Sequence, residues 1–556
     1  MIIGIDVGGT HTDAVLLSRN GIEKKIKVST DSEDLFNTIL AGFTKLLNDV
    51  DPNDIKRVVI STTLTTNAIV QQNMNPVGMI VSAGPGIDPK AFKTGDHYYC
   101  VTGSINHRGS QKAQVNEMEI EDIAIKMKTA GIEYVGVVSK FSIRNPSHEI
   151  VIKRVLNRYF KKIFLGHHVS GNLNFPRRIA TTHLNAAVFS LHKSFFEAVK
   201  LSLEEKGLKV PIQILKADGG TMSLKASMDF PGQTVLSGPA ASIMGAIPHA
   251  PENQDAIVLD IGGTTTDIAF LVDKAPLLEP VGIKRGRYKS LIRSLRTDSK
   301  GIGGDSVVIV KDKKLVIGPQ RKGAAMAFGG PEPTPTDALI VLGLMDEGDH
   351  DRSRQGIHKI ADKLGVTDIE AADKIFKQCC SIILKKTSKM MEQINSKPVY
   401  TVHEFLEGYK IDPKKILLLG GPARYFAKQI EELYNIETIA VPESSVANAI
   451  GAALARTTCE VTLNADTEQG VVTAHEEDFA EPVSKTFGED ELIETAHTLL
   501  KEKAINSGAS ENYLDEVEVV EFQKFNIVRN FSPRGKIFRT KMQIKPGLIK
   551  GYEKVI

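Results

Sequence analysis

"GIDVGGTHTDAVLL" at residues 4–17 returns as "VLDIGGTTTDIAFL" at residues 258–271. Asp6, Gly8, Gly9, Thr10, Thr12 and Asp13 correspond in order and spacing to Asp260, Gly262, Gly263, Thr264, Thr266 and Asp267, with Thr265 inside the second turn. Each copy is an apolar β-branched run, a Gly-Thr turn and a second apolar run, which predicts a strand, a tight turn and a returning strand. Glycine lets backbone come close to a ligand, and turn N–H groups with threonine hydroxyls can donate to phosphate oxygens. Two such hairpins facing each other would clamp a polyphosphate. Phosphoryl transfer also needs a magnesium ion held by few carboxylates and several waters. Asp6 and Asp260, one per hairpin, are the expected metal ligands; Asp13 and Asp267 either act on the attacking group or pin the hairpins.

A repeat at this separation suits a chain of 556 residues, longer than one hydrophobic core usually supports. Lysine plus arginine (69) nearly balance aspartate plus glutamate (67), so no global field draws nucleic acid or an anionic membrane. Small-molecule chemistry is the better expectation. The N-terminus lacks a basic flank, and no apolar run reaches the roughly 18 residues of a membrane span, so a cytoplasmic protein is expected. The four cysteines, Cys100, Cys379, Cys380 and Cys459, lack metal-ligand spacing and are expected to be buried small side chains.

The paired hairpins resemble the two phosphate motifs of the actin, heat-shock chaperone and sugar-kinase superfamily. "VLSGPAASIMGA" (235–246) and "VPESSVANAIGAAL" (441–454) stand where its two connecting helices stand, with Gly238, Ala240, Ala241 and Gly245 allowing close packing and Ser444 or Ser445 as a cap. "ILLLGGPARYF" (416–426), with Gly420 and Gly421, is similar to its adenosine motif. "KGIGGDSVVIV" (300–310) is similar to the Gly-rich loop bordering the nucleotide, which implies nucleotide contacts for Gly303, Gly304 and Asp305.

The intervening segments resemble the hydantoinase A and 5-oxoprolinase family, which also includes acetone carboxylase subunits. "STTLTTNAIVQQNMNPVGMIVSAG" (61–84), "SKFSIRNPSHE" (139–149), "RRIATTHLNAAV" (177–188), "PIQILKADGGTMSL" (211–224) and "PTPTDALIVLGLM" (333–345) match its motifs in order. Ile60-Ser61 replaces the family's His-Gly, Asp305 stands where hydantoinases usually have glycine, and the large C-terminal β-rich region with its Arg-Tyr-x-Gly-Gln signature is not recognisable after residue 460. Thr62, Thr63, Thr66 and Asn67 are uncharged hydrogen-bonding groups suited to an amide or carbonyl substrate, or else a strand running into a capped helix. Asp218 and Gly219 end a strand where ligands collect in open α/β sheets. Asn145, His148 and Glu149 are either catalytic or a turn leading into a helix capped by Ser147. Asp337 is either functional or a helix N-cap.

"GIKRGRYKSLIRSLR" (282–296) is expected to be a solvated hairpin. Adjacent His167 and His168 on a strand would point to opposite faces, which argues against a shared metal with His183. The polar run 464–482 is expected to be a linker, followed by a helix with Leu492, Ile493, Ala496, Leu499 and Leu500 on one face and by two strands.

The expected fold is therefore α/β: two ribonuclease H-like, actin-like ATPase domains around an ATP cleft, with a small C-terminal α+β domain. The expected regions are 1–180, 181–460 and 461–556. The resemblance implies an ATP- and magnesium-dependent hydrolase of cyclic amides, such as hydantoins, 5-oxoproline or lactams, that phosphorylates the substrate carbonyl. It also implies a separate hydantoinase B-like subunit, with a homo-oligomer left open. A small-molecule kinase and a non-enzymatic ATP-dependent activator or switch remain the alternatives.

Overall fold

The computed structural model describes residues 1–9, 11–31, 34–279, 281–285, 288–396, 410–509 and 516–552. In the first half, Ile2–Val7 turns back into His11–Ser18, and that strand into Gly21–Ser29, all antiparallel. On its other edge Ile2–Val7 pairs in parallel with Arg57–Thr62, which pairs in parallel with Ile212–Leu215. The second half repeats the plan. Asp255–Ile261, Thr266–Val272 and Ala275–Pro276 form the meander, and Pro413–Leu419 and Glu437–Ala440 add in parallel. A meander followed by two parallel strands, in spatial order third, second, first, fourth, fifth, is the ribonuclease H-like arrangement, and the chain contains it twice. The central strands are apolar on both faces: Ile2, Ile3, Ile5 and Val7 are buried, as are Ile257, Val258, Leu259 and Ile261.

The two halves meet where helix Ser237–Ala246 packs on helix Ala447–Leu454. Glycine is required at that contact. A Cβ on Gly245 would lie 2.3 Å from the Ala447 carbonyl oxygen, and one on Gly451 would lie 2.1 Å from that of Ala241. The same helix lies against the first hairpin strand, where a Cβ on Gly4 would meet the Ala449 carbonyl oxygen at 2.1 Å. Two helices made almost entirely of small residues thus come close enough to deliver their few polar side chains to the hairpins.

Between Arg57–Thr62 and Ile212–Leu215 the first half carries a separate parallel sheet of Lys162–Leu165, Tyr134–Ser139, Val77–Ser82 and Tyr98–Cys100. Residue 180 falls inside the continuous helix Phe175–Glu205. The polar run 464–482, expected as a linker, instead contains strands Glu460–Asp466 (in part), Val471–Ala474 and Phe479–Pro482, which join Ser532–Ile544 and Val517–Arg529 in a five-stranded antiparallel sheet. Composition misled because these strands bury polar groups: Thr462 and Asn464 are enclosed beside Val461 and Leu463. Helix Glu489–Asn506 lays Leu492, Ala496, Leu500 and Ala504 on that sheet.

Cys379, Cys380 and Cys459 are buried, but Cys100 is only half-buried, on an outer strand of the parallel sheet. The basic stretch 282–296 is a hairpin only at Lys284–Arg285 and Tyr288–Lys289, with Lys284 and Lys289 exposed; beyond it Ile292 and Leu295 turn into the core. No helix among the described residues is long and apolar enough to cross a membrane.

Candidate functional site

The two hairpins close in the same way. Gly8 N–H donates to the His11 carbonyl at 3.0 Å, and Gly262 N–H to the Thr265 carbonyl at 2.9 Å. In the strand register Asp6 faces Asp13 and Asp260 faces Asp267. Asn448, from the helix between the halves, donates to Asp6 Oδ2 at 3.3 Å and also stabilises ionised Asp260. Ser242, from the partner helix, donates to Asp260 Oδ2. The other oxygen of Asp6, Oδ1, is buried without a hydrogen-bond partner. Two carboxylates that share Asn448, one with an orphaned buried oxygen, form a donor set that fits a hydrated magnesium ion.

Asp13 is paired with Lys27 Nζ at 2.8 Å, and Asp267 accepts from Ser299, so both are engaged in holding their hairpins. Thr12 and Thr266 are buried behind the turns, bonded to Thr30 and to the Ile302 carbonyl, and do not face outward. Gly9, Thr264 and Thr265 are exposed at the turn tips; Thr10 lies outside the described residues. The Gly-rich loop backs the second turn: Gly304 N–H and Asp305 N–H donate to the carbonyls of Gly262 and Gly263 at 2.9 and 2.7 Å. Asp305 itself is paired with Arg321 at 2.9 Å. Gly420, at φ +92, is held against the second hairpin, where a Cβ would lie 2.2 Å from the Ile261 carbonyl oxygen; Gly421 faces open space.

The threonine-rich segment divides by role. Thr62 is buried and exchanges bonds with Ser237, and Thr66 accepts from Leu236 N–H at 2.8 Å. Thr63 N–H donates to the Val7 carbonyl at 3.2 Å, placing it beside the first turn. Asn67 is exposed, its amide next to Gly9. Of the four, Asn67 and Thr63 border the first turn.

Asp218 and Gly219 do not join them. They follow strand Ile212–Leu215, and Gly219 packs against Met244 and Leu295. Asp218 lines a cavity of about 100 Å³, partly open to solvent, together with Lys216, Arg293, Glu460, Glu476 and Lys503. Burial opposes ionisation of Asp218, but Lys216, Arg293, Gly220 N–H and the Thr458 hydroxyl hold it below its usual value. Burial, with Glu477 and Glu460 near, pushes Glu476 up to about 7.

Two of the equivocal motifs make defined local contacts. Asp337 is not an N-cap but the third residue of a capping box with Thr334, and it also accepts from Met326 N–H, Ala327 N–H and Ser353. Ser147 is the first residue of the following helix rather than its cap, Pro146 stands at the N-cap, and Asn145 Oδ1 accepts from Ser147 N–H at 3.0 Å. Neither Ser242 nor Asn448 stands out in the sequence as a site residue, although Asn448 is the one polar side chain in "ANAIGAAL".

Burial raises Asp6 to about 6, with Asp13 and Asp260 adding to it and Ser61 and Asn448 opposing. The folded value exceeds the unfolded one, so the native state binds this proton more tightly. The ionised group therefore costs stability fully above about pH 6 and not at all below about pH 4, to the order of 3 kcal/mol. Asp6→Asn in the nucleotide-free protein should accordingly raise the unfolding midpoint at pH 7.5, with the gain shrinking toward zero at pH 4. Urea unfolding of both proteins across that range measures it; a gain independent of pH would contradict this reading.

The profile of the hydantoinase/oxoprolinase family matches residues 178–461, and that of its N-terminal region matches residues 2–160. An uncharacterised protein of Methanocaldococcus jannaschii is 24% identical over 82% of this chain and 72% of its own length. The caprolactamase alpha subunit of Pseudomonas jessenii is 25% identical over 62% of this chain and 55% of its own length. The chain thus spans little more than half of that curated relative. The nucleotide-free structure of acetone carboxylase, an enzyme of ATP-dependent acetone carboxylation, superposes with a TM-score of 0.72 over 100% of this chain and 88% of its own, at 17% identity. That likeness is one of fold.

Proposed function

The chain belongs to the hydantoinase/oxoprolinase family, and on that premise we propose that it is an ATP- and magnesium-dependent hydrolase of cyclic amides of the hydantoin, 5-oxoproline or lactam type. The observation that carries the proposal is the meeting of Asp6 and Asp260 around Asn448, with the Asp6 Oδ1 oxygen buried and unpaired. Asp6 and Asp260 would hold the hydrated ion. The turns around Gly8–Thr10 and Gly262–Thr265 would donate N–H and hydroxyl groups to the phosphates, their glycines leaving room for close approach. Gly303, Gly304 and Asp305 brace the second turn, and Gly420 and Gly421 would border the adenosine. ATP supplies the phosphoryl group that makes a stable amide carbonyl electrophilic enough for water to open the ring. Asn67 and Thr63, beside the first turn, would orient that carbonyl.

Caprolactamase is built from subunits, the one matched here being its alpha subunit; a hydantoinase B-like partner is therefore part of the proposal. The test is ADP release with magnesium and ATP, by the chain alone and with a co-purified partner of that type, over a panel of 5-oxoproline, hydantoins and lactams, with products identified by mass spectrometry. A ring-opened product formed in step with ADP is expected. A stable phosphate ester would replace the proposal by a kinase, ADP release that requires bicarbonate and a ketone by a carboxylase, and release that no compound changes by a switch.

A further inference from the structure

His167 and His168 are not on a strand. They occupy a short 3-10 turn, His167–Val169, directly after strand Lys162–Leu165, and their rings lie on the same side with centroids 4.2 Å apart. His183, the third histidine near them in sequence, packs elsewhere, against Tyr288. The partner of the pair comes from the C-terminal domain: Asp478 Oδ1 lies 3.1 Å from His168 Nε2 and 3.8 Å from His167 Nε2. One ligand atom from each residue falls within 4.8 Å of the other two.

The orientation of His167 gives this cluster its meaning. Glu149, fully buried, accepts from His167 Nδ1 at 2.6 Å, from His167 N–H at 2.8 Å and from Ser139 N–H at 2.7 Å. With the Nδ1 proton directed at Glu149, the neutral imidazole carries its lone pair on Nε2, where a metal ion would compete with a second proton. That Nε2 is buried, has no hydrogen-bond partner and faces Asp478. A buried carboxylate behind a histidine whose other nitrogen is free is the arrangement that orients metal-ligating imidazoles. Arg178, also buried, donates to the carbonyls of Gly166 and Ser170 at 2.6 and 2.8 Å and so clamps the loop carrying both histidines. Asp478 is three-quarters exposed, which leaves outer positions for water. Two imidazole nitrogens and one carboxylate are a zinc-class donor set, not a magnesium one, and bonds of about 2.0–2.1 Å put ligand atoms roughly 3.4 Å apart, between the two separations seen here.

We propose that His167, His168 and Asp478 bind one divalent ion of the zinc class, which fastens the C-terminal domain to the parallel-sheet region of the first half. His168 also lines the cavity that contains Asp218, so the ion stands at its wall.

The full chain, stripped with chelator and kept in excess magnesium to occupy oxygen-only sites, is titrated with zinc and separately with cobalt. One zinc per chain by elemental analysis after dialysis, a visible cobalt spectrum typical of nitrogen ligands, and a zinc-dependent rise in the unfolding midpoint are expected. His168→Ala and Asp478→Ala, both at solvent-reached positions, should each weaken zinc by at least about 10- to 100-fold, while Asp6→Asn binds zinc as the unaltered chain does. No stoichiometric zinc, or zinc held equally well by both alanine variants, would overturn the proposal. Because the readout is metal binding, this outcome is independent of whether the chain hydrolyses cyclic amides.

Discussion

Asp260→Asn should lower magnesium-dependent ATP turnover by at least about a hundredfold while leaving the fold intact. The substitution keeps the shape of the side chain and an oxygen to accept from Ser242, so the local bonds survive. What it removes is the charge. Burial raises the Asp260 carboxyl, against the pull of Ser242 and Asn448 and with Asp13 adding to the cost, so ionising it costs more here than in water. Such strain is retained where an ion pairs with the carboxylate, and an amide cannot replace it there. The variant should therefore unfold no more easily than the parent in the absence of nucleotide. Turnover and unfolding measured on the same preparation separate the two effects; near-normal turnover in a well-folded variant would remove Asp260 from the chemistry.

Much of this site is legible in the sequence because its determinants are local. A strand, a Gly-Thr turn and a returning strand fix the Asp6–Asp13 and Asp260–Asp267 registers within fourteen residues each. The doubling of that phrase is enough to imply two matching domains. What is not legible depends on approach between distant segments. Asn448 reaches Asp6 across 442 positions, and only the glycine-mediated packing of two helices brings it there. His167 and His168 mislead for a related reason: the strand expected to separate them ends at Leu165, and their partner Asp478 lies beyond the second ribonuclease H-like half. Asp218 is grouped with Thr62 and Asn67 by resemblance, whereas ion pairing sets it with Lys216 and Arg293 instead.

That separation leads to the second large effect. Asp218→Ala should destabilise the protein by about 3–5 kcal/mol, the cost of leaving a buried charge without its partner. Lys216 is 5% exposed, and its ammonium has only Asp218 Oδ2, at 3.3 Å, and the Thr458 carbonyl, at 2.8 Å, as oxygen partners among its hydrogen bonds. Burial already holds Lys216 below its ordinary value with Asp218 present. Asp218 further accepts from Gly220 N–H and the Thr458 hydroxyl, at 3.0 and 2.9 Å, bonds that alanine also removes. Lys216→Met in the same chain should restore most of the lost stability, since a methionine fills similar space without a charge to solvate. Failure of that rescue would show the loss to come from the Gly220 and Thr458 bonds instead. A pair of buried charges that an apolar side chain can replace with little loss is weak support for a fold, and this pair lines a cavity partly open to solvent. The double variant, stable but with both charges gone, is therefore the protein in which to measure turnover of any cyclic amide found active: a fall there, without a fall in stability, places the substrate or its partner-bound form against Lys216 and Asp218.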